Sequence, residues 1–120
     1  MEELFATSKL KEILPRVEAF LQRELYPIEI ELVQMPFGEA AILLEEKRQL
    51  VKNQNLWGLQ LDEAEGGLGL NLVEFGQLSE VMERTPFGHY AFNCQAPDIG
   101  NMELIIHHAS GEIKERFLNL

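Results

Sequence analysis

Cysteine is scarce in this chain, and its scarcity excludes two kinds of site. Cys94 is the single cysteine among 120 residues, so no disulfide can form within the chain. The adjacent His107 and His108 would point to different sides of a helix, and neither a His-x-x-x-His spacing nor a second cysteine is present. The sequence therefore lacks the ligand spacing of a zinc site, and we expect no bound metal.

Positive charge and long apolar runs are scarce as well. Ten basic residues stand against 20 acidic ones, which gives a formal net charge of −10. Nucleic acids and anionic membranes attract proteins with a basic surface, so neither is an expected partner. The chain has no run of about 18 apolar residues and no basic N-terminal start, so we predict neither a membrane span nor a signal peptide. The one cysteine fits a reducing compartment.

What the chain does have is enough apolar residues for one folded domain. Hydrophobic residues make up 46% of the chain, and a chain of this size buries well over half of its unfolded surface. Residues 8–25 carry apolar side chains at steps of three and four, which predicts a helix. We expect this helix to be capped by Thr7 or Ser8 and to kink at Pro15.

The middle of the chain is predicted to alternate irregular segments with one helix. We expect an irregular connection over 28–38, a helix over 39–53 and a long irregular stretch over 54–71. The long stretch contains a cluster of three glycines: Gly66, Gly67 and Gly69. The cluster matches neither of the common phosphate-binding glycine motifs, so we interpret it as a tight turn before the next helix.

Further helices are predicted in the second half of the chain. Asn71 and Glu74 have the spacing of a capping box, which predicts a helix over 72–84. Two more helices are expected over 99–109 and 111–118.

Two glycines lie inside these helices, Gly76 and Gly100. Glycine weakens a helix, so Gly100 indicates a close contact with a neighbouring backbone or a ligand. Gly76 and Ser79, one turn apart, would allow a neighbouring helix to approach closely. No β-hairpin signal stands out. The predicted fold class is therefore all-α: an orthogonal or irregular bundle of about five helices with a long glycine-rich loop.

Residues 91–106 have the composition of a pocket wall. They are mostly apolar, with neutral polar side chains at Asn93, Gln95 and Asn101, a mixture found in small-molecule sites. An ordinary buried junction between two helices has the same composition, and the residues alone leave both interpretations open. Cys94 is expected to be a buried, inert thiol. No set of nucleophile, base and orienting group is apparent.

The same stretch resembles a known family. The segment Phe-Asn-Cys-Gln-Ala-Pro-Asp-Ile-Gly-Asn-Met-Glu-Leu, over 92–104, resembles a segment of the acyl-CoA dehydrogenases. Leu-Trp-Gly-Leu over 56–59 and Glu-Gly-Gly-Leu-Gly-Leu over 65–70 look like a loop of that family. Lys-Glu-Arg-Phe-Leu over 114–118 looks like the family's Lys-x-x-Trp/Phe-Leu ending. The resemblance covers nearly the whole chain, although Asp62 stands where the family usually has proline.

The resemblance implies that residues 1–120 form the N-terminal helical domain of such an enzyme, with the middle β-domain and the C-terminal helical domain absent. In the family, FAD lies between those two other domains, and a glutamate of the C-terminal domain removes the α-proton of the acyl thioester. We therefore expect FAD and acyl-CoA in a complete enzyme and no cofactor on this chain alone. No carboxylate of this chain is a candidate for the base.

By position, the resemblance makes Ala91, Phe92 and Gln95 the candidate substrate-binding residues. At spacing i, i+1 and i+4 they would share one side of a helix. There the bulk of Phe92 and the polarity of Gln95 would select the acyl tail. Packing in the core is the alternative role for all three.

Two hypotheses for the function follow. In the first, the chain is the N-terminal domain of an FAD-dependent acyl-CoA dehydrogenase, inactive alone, and its partners are the remaining dehydrogenase domains or subunits of a homo-oligomer. It predicts an exposed apolar patch where they dock. In the second, the chain is a free-standing helical module that binds acyl chains or a protein without catalysis. The expected location is the cytoplasm, or the mitochondrial matrix if the source is eukaryotic.

Overall fold

The computed structural model describes residues 5–118 of the chain, and most of them lie in helices and turns. Within this range no residue lies in a β-strand, which confirms the predicted all-α class. No helix in the same range is long and apolar enough to cross a bilayer.

The predicted helices are all present, with ends that differ by a few residues from the predicted ones. In chain order the helices are α1 (Ser8–Phe20), α2 (Glu29–Gln34), α3 (Phe37–Asn53), α4 (Leu72–Met82), α5 (Gly88–Ala91), α6 (Asp98–His108) and α7 (Gly111–Phe117). Other helical turns are a π-helical turn at Leu21–Leu25 and two 3-10 turns at Tyr26–Ile28 and Glu63–Glu65.

The first helix begins at the predicted cap. The hydroxyl oxygen of Thr7 accepts a hydrogen bond from the backbone N–H of Leu10 at 3.1 Å, as an N-cap residue does. Pro15 lies inside α1, and the change of helix type comes later, where α1 passes into the π-helical turn at Leu21.

The prediction of an irregular connection over 28–38 is wrong for its middle part, which forms α2. Glu29 and Glu31 lie in the first turn of α2, where negative charge stabilises the positive end of the helix. Leu32 is the one buried residue of α2, so this helix shows no stripe that spacing could reveal. Pro36 then precedes α3, which begins at Phe37, two residues before the predicted start.

The core is centred on two aromatic rings. Phe20 at the end of α1 and Phe92 just after α5 meet edge to face, with ring centroids 5.3 Å apart. Both side chains are fully buried. Leucines and valines from α1, α3, α4 and the long loop surround them, so the segment that follows α5 is held from several sides.

The glycine-rich loop folds back on itself, as the tight-turn interpretation predicts. The backbone N–H groups of residues 66–70 donate to the carbonyl oxygens of Glu63, Asp62, Gly58, Leu61 and Leu59, at 2.8–3.1 Å. A Cβ atom at Gly67 would lie 2.1 Å from the carbonyl oxygen of Leu61, so only glycine fits there.

The prediction that a neighbouring segment approaches Gly76 and Gly100 closely is wrong at both positions, whereas contact of Gly100 with a ligand stays a prediction. A Cβ atom added at either would meet no described atom within 4 Å, and both residues are exposed. The close approach occurs instead at Gly88, the first residue of α5, where a Cβ atom would lie 2.2 Å from the carbonyl oxygen of Met82. The short turn between α4 and α5 creates this contact, which spacing within a helix does not indicate.

The predicted capping box is present at the start of α4. The Asn71 side chain accepts from the N–H of Glu74 at 2.8 Å, and the Glu74 carboxylate accepts from the N–H of Asn71 at 3.0 Å. The same carboxylate accepts a hydrogen bond from the hydroxyl of Thr7. Glu74 is buried, so one charged group joins the first turns of α1 and α4.

Candidate functional site

The helix expected to carry Ala91, Phe92 and Gln95 ends before it reaches Gln95. Helix α5 stops at Ala91, and Asn93 has a left-handed backbone with φ = 54°. The predicted single helical side therefore does not form. Ala91 and Phe92 are fully buried in the core, whereas Gln95 is exposed.

Asn93 is the residue that holds this turn in place. Its side-chain oxygen accepts from Arg48 Nη2 at 3.2 Å, and its side-chain nitrogen lies 3.0 Å from Met102 Sδ, to which it donates. Its backbone N–H donates to the carbonyl oxygen of Tyr90 at 3.1 Å. Asn93 thus links α3, α5 and α6. The sequence offered one usable signal, because asparagine tolerates positive φ better than most residues.

Arg48 on α3 is the second central residue. Its guanidinium lies 4.7 Å from the ring centroid of Tyr90 and 5.1 Å from that of Trp57, within the range of cation–π attraction. Lys52, one turn later, places its ammonium 4.6 Å from the Trp57 centroid. Two positive charges therefore lie close to one indole ring in a chain whose net charge is −10.

An open groove of about 310 Å³ lies beside these residues. It is lined by Arg48, Lys52, Trp57, Asn93, Asp98, Asn101, Met102, Ile105, Phe117 and Leu118. Half of these ten belong to the stretch 91–106, and the lining combines apolar and polar side chains. Its volume is at the lower end of the range for small-molecule sites. None of the three candidate residues, Ala91, Phe92 and Gln95, belongs to this lining.

Cys94 is the buried thiol that the sequence predicts. Burial raises the pKa of Cys94 to about 12, and the thiol donates to the carbonyl oxygen of Phe92 at 3.3 Å. The reactive thiolate is therefore scarce at neutral pH.

A serine–histidine pair also occurs, between two residues that are ten positions apart and that no sequence motif connects. Ser79 Oγ on α4 lies 2.7 Å from His89 Nε2 on α5. Among residues 5–118, no carboxylate hydrogen-bonds the His89 ring to orient it as a catalytic triad requires. The pair forms a hydrogen bond that joins α4 to α5.

Two kinds of bound group can be compared with the residues present. Across the described range, no three histidine, cysteine, aspartate or glutamate side chains gather as metal ligands. A dinucleotide such as FAD needs free backbone N–H groups for its phosphates, yet the amides of residues 66–70 already donate within the glycine loop. That loop does not fit the phosphates of FAD.

Comparisons with known proteins agree on one family. Residues 7–120 match the model of the acyl-CoA dehydrogenase N-terminal domain. The chain is 31% identical over 118 residues to acyl-CoA dehydrogenase family member 10 from Mus musculus, and 31% identical over 125 residues to family member 11 from the same organism. A solved structure from Mycobacterium abscessus, provisionally named an acyl-CoA dehydrogenase, superposes with a TM-score of 0.79 at 31% identity.

These matches differ in how much of each protein they cover. They span 91% and 97% of this chain but 11% and 16% of the two mouse proteins. In the structural match, 93% of this chain corresponds to 31% of the Mycobacterium abscessus chain. The chain thus spans a small part of the relatives that it matches. By sequence and by fold, it belongs to the acyl-CoA dehydrogenase family and corresponds to that family's N-terminal domain.

Proposed function

We propose that this chain serves as the N-terminal domain of an FAD-dependent acyl-CoA dehydrogenase, an enzyme of fatty-acid metabolism, and is inactive alone. Its share of the work is to form one wall of the space that holds the acyl group. The observation that supports this role is the groove of about 310 Å³, half of whose lining comes from the stretch 91–106.

The groove suits an acyl group in its chemistry. Trp57, Met102 and Ile105 offer apolar surface to a hydrocarbon chain. Asn93 and Asn101 add neutral polar groups at the same groove, which can accept or donate hydrogen bonds to an amide or a thioester. Half of the ten lining residues are polar or charged, and polar groups of this kind fix the orientation of a ligand in a site.

The three candidate residues then divide into two roles. Gln95 is exposed but lies outside the lining of the groove, so it would contact the acyl group only where the acyl group extends beyond the groove. Ala91 and Phe92 are buried and would support the wall from behind, because Phe92 packs against Phe20. In a complete enzyme, bound FAD supplies hydride acceptance. This domain binds and orients the acyl group and keeps water from it.

The same proposal names the partners. They are acyl-CoA, the remaining dehydrogenase polypeptide and further copies in a homo-oligomer. The expected location is the cytoplasm, or the mitochondrial matrix in a eukaryote.

A chimera tests the proposal. The matched part of the Mycobacterium abscessus protein, 31% of its chain, is replaced by residues 7–118 of this protein. Bound flavin and acyl-CoA-dependent reduction of an electron-accepting dye are then measured over a series of acyl lengths. We expect activity from the chimera and none from the isolated chain.

The chimera also tests the groove. Met102→Trp fills part of it, so KM should rise about tenfold or more for long acyl chains, with kcat for the shortest chain nearly unchanged. The matched control is Ile42→Trp, an exposed position on α3 outside the groove. If KM depends on acyl length in the Met102 variant as it does in the unsubstituted chimera, the groove does not form a wall of the acyl site. Submicromolar binding of octanoyl-CoA to the isolated chain would favour a free-standing acyl-binding module instead.

A further inference from the structure

We propose that Arg48 is a positioning residue of the groove, which acts through Asn93 on Met102 and so sets how the groove selects among acyl groups. Arg48 lies on α3 and Met102 on α6, and Asn93 lies in the turn between α5 and α6. All three line the groove. The contact of Met102 with an acyl group rests on the proposed function, whereas the hold of Arg48 on Met102 is independent of it.

The guanidinium of Arg48 determines which way the side-chain amide of Asn93 faces. A guanidinium only donates hydrogen bonds, whereas an amide has an oxygen that accepts and an NH₂ group that donates. The amide atom beside Arg48 is accordingly the oxygen, 3.2 Å from Nη2. This orientation turns the amide nitrogen towards α6, where it lies 3.0 Å from Met102 Sδ. The two contacts form a continuous link from α3 to α6.

Arg48 is itself held in place by its surroundings. Its side chain is 15% exposed, and its Nη1 donates to the carbonyl oxygen of Tyr90 at 3.4 Å. The guanidinium also lies 4.7 Å from the ring centroid of Tyr90 and 5.1 Å from that of Trp57. A planar guanidinium can donate to two acceptors and stack on a ring at once, whereas the ammonium of lysine is a compact point charge. These contacts give Arg48 the rigidity that a positioning residue needs.

Asn93 passes this constraint on because its backbone is fixed as well. Asn93 is buried and has a positive φ of 54°, and its backbone N–H donates to the carbonyl oxygen of Tyr90 at 3.1 Å. With the backbone fixed, the amide group can still flip and exchange its oxygen and nitrogen. A flip would turn the NH₂ group towards the guanidinium, which has no acceptor, so Arg48 prevents it.

Met102 is the residue on which this constraint has an effect. A methionine side chain has three rotatable bonds and fills irregular gaps, and Met102 is only half-buried on α6. Its position therefore depends on partners such as the Asn93 amide. Once Arg48 no longer orients that amide, Met102 can rotate, and an acyl chain in the groove loses apolar contact. Loss of contact equivalent to one methylene weakens binding about three- to fivefold.

The first measurement follows the methionine methyl groups of the 120-residue chain by NMR. The chain has four methionines, and Met102→Leu identifies the signal of Met102 in protein labelled with ¹³C at these methyl groups. In Arg48→Leu the Asn93 amide loses its donor, so the Met102 signal should move by more than its linewidth. The signals of Met35 and Met82 should stay in place.

Two further variants separate positioning from a general loss of stability. Arg48→Lys keeps the charge and one donor, so its Met102 signal should lie between those of wild type and Arg48→Leu. The matched control is Arg23→Lys, at a side chain that is 56% exposed and outside the groove, and it should leave the Met102 signal unchanged. If Arg48→Leu does not fold, the displacement of the signal in Arg48→Lys decides.

The second measurement uses the chimera described above and tests selection. Arg48→Leu should lower the ratio of kcat/KM for octanoyl-CoA to that for butyryl-CoA about three- to fivefold, the equivalent of one methylene contact. The change should lie in KM rather than in kcat, because a binding contact is lost and no reacting group is touched.

Three outcomes would overturn the proposal. If the Met102 signal stays in place in Arg48→Leu, Arg48 does not position Met102. If the signals of Met35 and Met82 move as far, or if Arg48→Lys restores nothing, the role of Arg48 is only structural. If Met102→Trp changes the dependence on acyl length and Arg48→Leu does not, Arg48 has no part in selection. An unchanged dependence in both variants contradicts the proposed function and the selection that rests on it, and the methyl signal still decides the positioning.

Discussion

Glu74 provides the sharpest test of how this domain is held together. Its buried carboxylate accepts hydrogen bonds from the Thr7 hydroxyl and from the backbone N–H of Asn71. Thr7 in turn caps α1 through the N–H of Leu10. Removing the charge at Glu74 should therefore loosen the first turns of two helices at once, which no exposed glutamate would do.

The magnitude follows from these two hydrogen bonds. In Glu74→Gln the amide oxygen can still accept one of them, whereas the amide NH₂ cannot accept the other. Hydrogen bonds to charged groups contribute about 1.5–3 kcal/mol each, so the loss of one and the weakening of the second should cost about 2–3 kcal/mol. For a domain near this size, that corresponds to a fall in Tm of roughly 8–12 °C.

The effect should depend on pH in a definite direction. The Thr7 hydroxyl, and after it the Asn71 backbone N–H, lower the pKa of Glu74. A carboxyl group whose pKa is lower in the folded state stabilises the protein above its unfolded pKa of about 4.3. That contribution disappears as the pH falls through the folded pKa, so the gap between wild type and Glu74→Gln should narrow below about pH 4.

Urea unfolding at neutral and acidic pH measures both quantities. Glu80→Gln, an exposed change on the same helix, is the matched control and should lie within about 0.5 kcal/mol of wild type. A double-mutant cycle with Thr7→Val isolates the coupling between the two helices. The reasoning fails if Glu74→Gln behaves like the control, if the cycle shows additivity, or if the gap does not narrow in acid.

Three further predictions concern the loop and the core. Gly67→Ala should destabilise the chain by more than about 2 kcal/mol, because its Cβ would overlap the Leu61 carbonyl oxygen, whereas Gly76→Ala in an open helical position should stabilise it by about 0.5–1 kcal/mol. Thermal unfolding measures both effects, and a Tm that changes in the same direction in the two variants would contradict this prediction. Phe92→Ala should lower the free energy of unfolding by about 3–5 kcal/mol, because it leaves a cavity in the core. A loss below about 1 kcal/mol in urea unfolding would contradict the central place of Phe92 in the core. Because burial raises the pKa of Cys94 to about 12, the unfolded thiol releases its proton first, and stability should fall by up to about 1.4 kcal/mol per pH unit above about pH 8.5. The stability of the Cys94→Ala variant should fall less steeply over the same pH range. If the two curves of stability against pH are parallel, the Cys94 thiol is not the cause of the fall.

Local signals in the sequence predicted the helices well. The capping box at Asn71 and Glu74 depends on residues three apart, and the structure contains it. The apolar spacing of α1 likewise lies within one element. Helix α2 was missed because it buries one leucine, Leu32, and a single buried residue leaves no periodic pattern.

Contacts between distant segments were less accessible from the sequence. Gly76 and Gly100 lie inside predicted helices and meet no neighbouring segment, whereas Gly88 lies outside the predicted helices and meets the backbone of Met82. The site shows the same limit. The stretch 91–106 was identified, but the positive φ at Asn93 ends the helical spacing, so Gln95 separates from the buried Phe92. Arg48 was missed because its partners at the groove, Trp57 and Asn93, lie 9 and 45 positions away.

Trp57 gives the groove an internal optical reporter. It is the only tryptophan of the chain, it lines the groove, and two side-chain cations lie within about 5 Å of its ring. Emission from an indole shifts with the charge and the water around it. The fluorescence of the unlabelled protein therefore reports directly on this one place, and any molecule that enters the groove or displaces either cation should change its wavelength or intensity.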